Sequence, residues 1–260
     1  MKRYLKLWWL FASAAFQIQL NIRWGLIIFL LAKILRFTTF IFLLVILLQS
    51  TKVLAGYTLD QVLLFFLSFN FLDILSQLLF REVYRFRPKV LSGTFDFYLI
   101  KPISPLFRSL LTGPDLLDFI TLIPLIAAIV YFVNKLNSLN ILNIGEYIFM
   151  LLLGFLIILS FHILVLSLAV LTTEIDSAIL VYRDLVGMGR VPIDVYVEPI
   201  RSLITFIIPV GIMMTFPAKA LMGLLSPGLI AYAISFTLIL FYFSYKAWEL
   251  ALKNYSSASS

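Results

Sequence analysis

Six stretches of this chain are long and almost wholly apolar, and that pattern leaves a polypeptide few places to go. A helix rises about 1.5 Å per residue, so about 20 predominantly apolar residues cross the hydrocarbon core of a bilayer. The first stretch belongs to a helix from about Trp24, with its lipid-buried part at Ile34 to Ala55. The second runs from Gln61 to Phe80, the third from Leu116 to Val133 with room to extend toward Leu106, and the fourth from Tyr147 to Leu171. The fifth, Ile200 to Phe216, is short and interrupted by Pro209, which should kink it; the sixth is Leu229 to Tyr245. Hydrophobic residues make up 62% of the 260 and charged ones 13%, against roughly 45–50% and about 25% in a soluble domain. A soluble fold could not hide so much apolar surface. The pattern predicts an all-α polytopic membrane protein with six transmembrane helices.

Lysine and arginine sort the connections. Ser50 to Asp60, Asn134 to Glu146 and Pro217 to Gly228 are short and nearly uncharged, whereas Arg81 to Asp115 and Thr172 to Pro199 are longer and charged. With six spans and both termini on one side, that side holds every basic residue except Lys52, Lys135 and Lys219. Basic residues are retained on the cytoplasmic face, so both termini are expected there. Lys33 and Arg36 are expected to snorkel toward one headgroup layer and Lys52 toward the other. The net charge of +7 then follows from topology, with no nucleic-acid partner.

The start of the chain imitates a cleavable signal peptide, with Lys2, Arg3 and Lys6 before Leu7 to Phe11 and Ala12-Ser13-Ala14. That apolar stretch is too short for an h-region of about 7–15 residues. An amphipathic helix held at the membrane surface is expected over residues 1–23, a six-span bundle over 24–255, and a small polar disordered tail over 256–260.

Several chemistries lack their residues. No Gly-x-x-x-x-Gly-Lys-Ser/Thr loop is present to cradle phosphates, and Gly187-Met-Gly-Arg is too short to replace it. Zero cysteines and a single histidine, His162, remove thiolate sites and multi-histidine metal sites. His162 lies within a span, where hydrogen bonding to a neighbouring helix is the expected role. The chain is expected to be no enzyme and to carry no cofactor.

A few polar groups persist inside the apolar stretches. Asn70, Asp73, Gln77 and Arg81 recur at helical spacing and share one face of the second span. They form either an interhelix seam, with Asp73 neutralised by Arg81, Arg36 or protonation, or the wall of a solvated path for substrate. Asp115 and Asp118, following Gly113-Pro114, suit the positive end of a helix start.

The richest polar surface is the loop between the second and third spans. Its first half alternates basic and aromatic residues through Arg85 and Arg87, which suits phosphate headgroups or an acidic protein surface. Its second half offers Ser92 as a cap for a short amphipathic helix carrying Phe95 and Leu99, ended by Pro102. Such a helix either anchors the loop in the interface or meets a partner.

Gly93-Thr94-Phe95-Asp96-Phe97-Tyr98-Leu99-Ile100-Lys101-Pro102-Ile103 resembles the Gly-x-Leu-Asp-x-x-Leu-x-Lys/Arg-Pro pattern of ABC-2 type transporter permeases, in the subgroup of six spans and similar length. Ile22-Arg23-Trp24, Ala55-Gly56-Tyr57-Thr58-Leu59 and Arg190-Val191-Pro192-Ile193-Asp194-Val195-Tyr196 resemble further elements of that family in the same order. So do Phe206-Ile207-Ile208-Pro209-Val210 and Phe216-Pro217-Ala218. Phe95 stands for a usual leucine and Ile22 for a usual tyrosine. The resemblance implies a permease subunit of an exporter in a prokaryotic cell (inner) membrane. It implies a second permease copy or a sister permease, and separate ATPase subunits that bind ATP and Mg. It further implies a coupling helix at Gly93 to Pro102, in an ATPase-contacting loop whose residues are Arg85, Arg87, Gly93, Phe95, Asp96, Leu99, Lys101 and Pro102, joined by the N-terminal helix. A gradient-driven transporter or channel is the alternative, although midplane ionisable residues are few, and an anchoring protein is a third.

Overall fold

The computed structural model describes residues 2–136, 140–172 and 178–256. The tail expected to be disordered lies outside them beyond Ser256. In chain order the helices are α1 (Lys2–Leu20), α2 (Arg23–Thr51), α3 (Leu59–Phe80), α4 (Phe86–Leu91), α5 (Asp96–Leu99) and α6 (Pro105–Leu111). They continue with α7 (Leu116–Lys135), α8 (Ile141–Leu171), α9 (Ala178–Gly187), α10 (Ile200–Ser202), α11 (Phe216–Leu221) and α12 (Pro227–Lys253). The described residues form no β-strand beyond an isolated bridge, Leu54 to Tyr57, in the tight turn after α2.

Local sequence explains where the long helices begin. Gln61 reaches back to accept the Thr58 backbone N–H at 2.9 Å before α3. Asp115, Asn140 and Ser226 each accept a first-turn N–H of α7, α8 and α12, and Pro227 follows its cap in the position where a missing N–H is tolerated. Side chains turned onto their own helix satisfy much of the polar remainder: Ser160, Ser167, Thr121 and Thr237 bond carbonyls four residues back.

Five helices are long and apolar enough to cross a membrane: α2, α3 running on to Leu91, α7, α8 and α12. They cover the expected first, second, third, fourth and sixth stretches. The protein is a multi-pass membrane protein. Helix α8 is the hub, packed along α12 on one side and against α3 and α11 on others. Helix α2 is the outlier. It touches the bundle through Phe40, Leu44 and Leu48, which pack around Val62, Leu63 and Phe66, and through Lys33 on α7, and leaves Phe29, Leu31 and Leu35 exposed.

The fifth stretch departs from expectation. It is not one kinked helix but two arms, Ile200–Ile207 and Gly211–Leu221, that meet at 82°. Both arms wind partly as π-helix. Pro209 has no N–H to carry the ladder on, and Gly211 lets the arms close, because a Cβ there would lie 3.2 Å from the Thr205 Cα. The bend, with Ile208, Pro209 and Val210, sits against Phe161 and Val165 of α8 and Tyr182 of α9, around an apolar cavity of about 240 Å³.

The connection from Thr172 to Pro199 also departs from expectation. Asp194 accepts from Tyr57 Oη at 3.0 Å and from Lys219 Nζ at 2.8 Å. The charge pattern puts Tyr57 and Lys219 at one end of the bundle and this whole loop at the other, yet Asp194 bonds both. At its start, Arg183 lies over the Tyr84 ring at 5.9 Å, next to the far end of α3. Residues 178–195 therefore run from one side of the bundle to the other. Hydropathy hides this pass because it is made in pieces: a ten-residue helix, a 3₁₀ turn, an extended Val191–Pro192 step, and Arg183, Asp184 and Arg190 along the way.

The bent pair is held by a close approach. A Cβ at Gly154 of α8 would lie 2.8 Å from the Met213 carbonyl oxygen and 3.2 Å from its Cα. Gly154→Val is expected to lower stability by about 1–3 kcal/mol, the usual cost of overpacking, read as a lower melting temperature in detergent. An unchanged melting temperature would contradict the approach.

Candidate functional site

The loop after α3 folds as a ledge. A 3₁₀ turn (Arg81–Arg85) carries α3 into α4, whose first turn tolerates Pro88. Ser92 ends this helix instead of opening the next one. Its Oγ lies 3.4 Å from the Lys89 carbonyl and 2.8 Å from Thr94 Oγ1. Gly93, at φ +70°, reverses the chain, and only the short α5 remains of the expected amphipathic helix.

Phe95 does not face outward. It is wholly buried, with ring centroids 5.1 Å from Phe86, 6.3 Å from Trp248 and 5.2 Å from Tyr255. This corrects its assignment as an exposed contact. Phe95 and Leu99 do not share a face: Leu99 is 38% exposed, while the end of α12 covers Phe95. Tyr255 Oη donates to Asp96 Oδ1 at 2.8 Å. Burial, then that hydrogen bond, push the Tyr255 phenol up to about 12. Lys89 pairs with buried Glu82 and donates to Tyr98 Oη at 2.8 Å, and the Arg108 guanidinium stacks 3.8 Å above the Tyr98 ring.

What remains outside is a compact edge. Phe97 and Ile100 are 59% and 77% exposed, flanked by exposed Leu91, Leu99, Lys101 and Pro102, with Arg85 exposed at the preceding turn. Arg87 lies half-buried beside α4. Helix α1 braces the edge from beneath. Arg3 donates to the Pro102 carbonyl at 3.1 Å, and the Ser104 N–H donates to Tyr4 Oη at 3.3 Å. At the other end of α1, Gln19 bonds both the Pro114 carbonyl at 3.0 Å and the Leu116 N–H at 2.8 Å.

The polar seam lies along α3. Asn70 turns onto its own helix, donating to the Phe66 carbonyl at 2.7 Å. Gln77 accepts from Arg81 at 3.3 Å, and Arg81 Nε lies 3.6 Å from Asp115 Oδ2. Asp73 opens instead into a cavity of about 430 Å³ between α2 and α3, lined also by Arg36, Arg190, Thr39 and Phe40. Lys33 does not snorkel; it pairs with Asp118, whose side chain is buried. Asp115 alone caps α7, with Oδ1 accepting from Leu117 at 2.9 Å. His162 donates from Nδ1 to the Ile158 carbonyl at 2.8 Å, a bond within its own helix and not to a neighbour.

The family model described as ABC-2 family transporter protein matches residues 14–259. The chain belongs to that family. No curated relative and no solved structure gives a significant match.

An ABC-2 permease is a membrane transport component, and transport is thereby this chain's role. Within this permease the sequence brought together Asn70, Asp73 and Gln77, and likewise Gly93, Asp96, Lys101 and Pro102 on one ledge. It missed Arg190 at the Asp73 cavity, because the pass that carries Arg190 has no continuous apolar run. It missed Tyr255 as well, whose partner Asp96 lies far away in the chain. The exposed residues Phe97 and Ile100 lie inside the Gly93–Pro102 motif, on positions that the expected Phe95–Leu99 face leaves out.

Proposed function

We propose that this ABC-2 permease is the membrane half of an ATP-driven exporter, coupled through the Leu91–Pro102 edge to ATPase subunits that bind ATP and Mg. A chain without a phosphate-cradling loop must take its work from a partner. The observation that carries the reading is the exposed Phe97–Lys101 edge, mounted on the buried Phe86, Phe95 and Trp248 rings with Tyr255 half-buried beside them. A push on that edge passes directly to α12, and from α12 to α8. The Asp73 cavity, open on one side, supplies half of a path that a second copy or a sister permease completes.

In this reading both termini and the edge are cytoplasmic in the inner membrane of a prokaryote. Residues 178–195 form the fifth crossing, and the arms Ile200–Ile207 and Gly211–Leu221 form a re-entrant hairpin dipping from the outside. Two experiments test it together. The tagged permease should copurify an ATPase. Val197→Cys, on an exposed position beyond Asp194, should react with an impermeant thiol reagent in intact cells, and Lys101→Cys only after permeabilisation. Labelling of Lys101→Cys in intact cells would overturn the coupling role, and purification without any ATPase would overturn the exporter.

A further inference from the structure

A second cavity, of about 370 Å³, opens beside the first at the level where α3 ends and α7 begins. Lys33, Arg36, Arg81 and Arg85 line it, against the single lining carboxylate of Asp115. Two of these cations are already matched, Lys33 by Asp118 and Arg81 by Asp115. Among the described residues, Arg36 and Arg85 form no ion pair. Arg36 has the Asp73 carboxylate of the neighbouring cavity within electrostatic reach but no ion pair with it, and Arg85 is exposed, so both guanidinium groups keep donors free for an anion.

Apart from Gln19, which is bonded to Pro114 and Leu116, the remaining wall is apolar. Leu26 and Phe29 of α2 line the cavity, and Phe29 continues into the exposed face of α2 with Ile28 and Leu31. A ligand that fits must therefore carry negative charge at one end and hydrocarbon at the other. We propose that this cavity binds the phosphate headgroup of an anionic membrane lipid, with Arg36 and Arg85 on the phosphate and the acyl chains along α2. Arginine suits the task because its planar fork matches phosphate oxygens two at a time. The site depends on the membrane placement of the chain and not on any ATPase partner, so it stands or falls apart from the exporter reading.

The test is native mass spectrometry of the intact permease released from nanodiscs of mixed phosphatidylglycerol and phosphatidylcholine. The wild type should retain phosphatidylglycerol in preference to phosphatidylcholine. Arg85→Gln, at an exposed position with no fold to disturb, should weaken retention about 5-fold, and Arg36→Gln with Arg85→Gln about 25-fold, at the usual worth of a cation near an anionic leaflet. Lys253→Gln, an exposed cation at the end of α12, should leave retention unchanged. Equal retention of the two lipids, or an equal loss in Lys253→Gln, would overturn the site. Displacement of the lipid by millimolar inorganic phosphate would overturn the lipid assignment in favour of a soluble anion.

Discussion

Phe95→Ala should destabilise the folded permease by about 3–5 kcal/mol, the range for deleting a large buried ring, while Phe97→Ala two residues away should stay within about 0.5 kcal/mol. The two phenylalanines share a motif but not an environment. Phe95 closes a ring cluster between α4 and α12, where its removal leaves a cavity bordered by Phe86, Trp248 and Tyr255. Phe97 has water or a partner on its outer side. Melting temperature in detergent separates them, and limited trypsin digestion after Lys101 should report the same loosening. On the coupling reading, Phe97→Asp keeps the wild-type melting temperature yet loses the copurifying ATPase. A Phe95→Ala protein that melts with the wild type would show that the cluster supports nothing.

The second large effect concerns Lys33 and Asp118. Lys33→Met leaves the Asp118 carboxylate buried and unpartnered, and removing one member of such a pair costs about 3–5 kcal/mol. Replacing both, as Lys33→Met with Asp118→Leu, should recover most of that loss, because a well-packed apolar pair avoids the desolvation penalty altogether. Three melting curves decide the matter. Should the single variant melt as the wild type does, the pair does not join α2 to α7.

The sequence carried most of the architecture because the bilayer asks for one thing, a long apolar run, and five helices supply it without interruption. What it hid was every place where the chain traverses the bundle in parts. Residues 178–195 combine helix, 3₁₀ turn and extended chain with three charged side chains, so no window along them looks lipid-soluble. Ile200 to Phe216 errs in the opposite sense: its apolar composition suits a span, but at Pro209 and Gly211 it breaks into two arms at 82°. The ledge shows a third limit. Periodicity placed Phe95 and Leu99 together on one face, and nothing local says that α12 returns from far along the chain to cover Phe95. The same distance separates Lys33 from Asp118, which local reasoning sent to separate duties as a snorkelling cation and a helix cap.

The bent pair of arms around Pro209 has a consequence for how the chain is made. Main-chain groups freed at such a bend tolerate no lipid, so the element must be wrapped by protein before it can rest at that depth. Its wrapping comes from α8 and α9, synthesised earlier, and from α12, synthesised afterwards; Tyr232 Oη, near the start of α12, donates to the Phe206 carbonyl at 2.8 Å. A ribosome that has just finished Leu221 therefore leaves an unfinished nest, and a nascent chain halted there should be degraded by quality-control proteases until the final helix arrives.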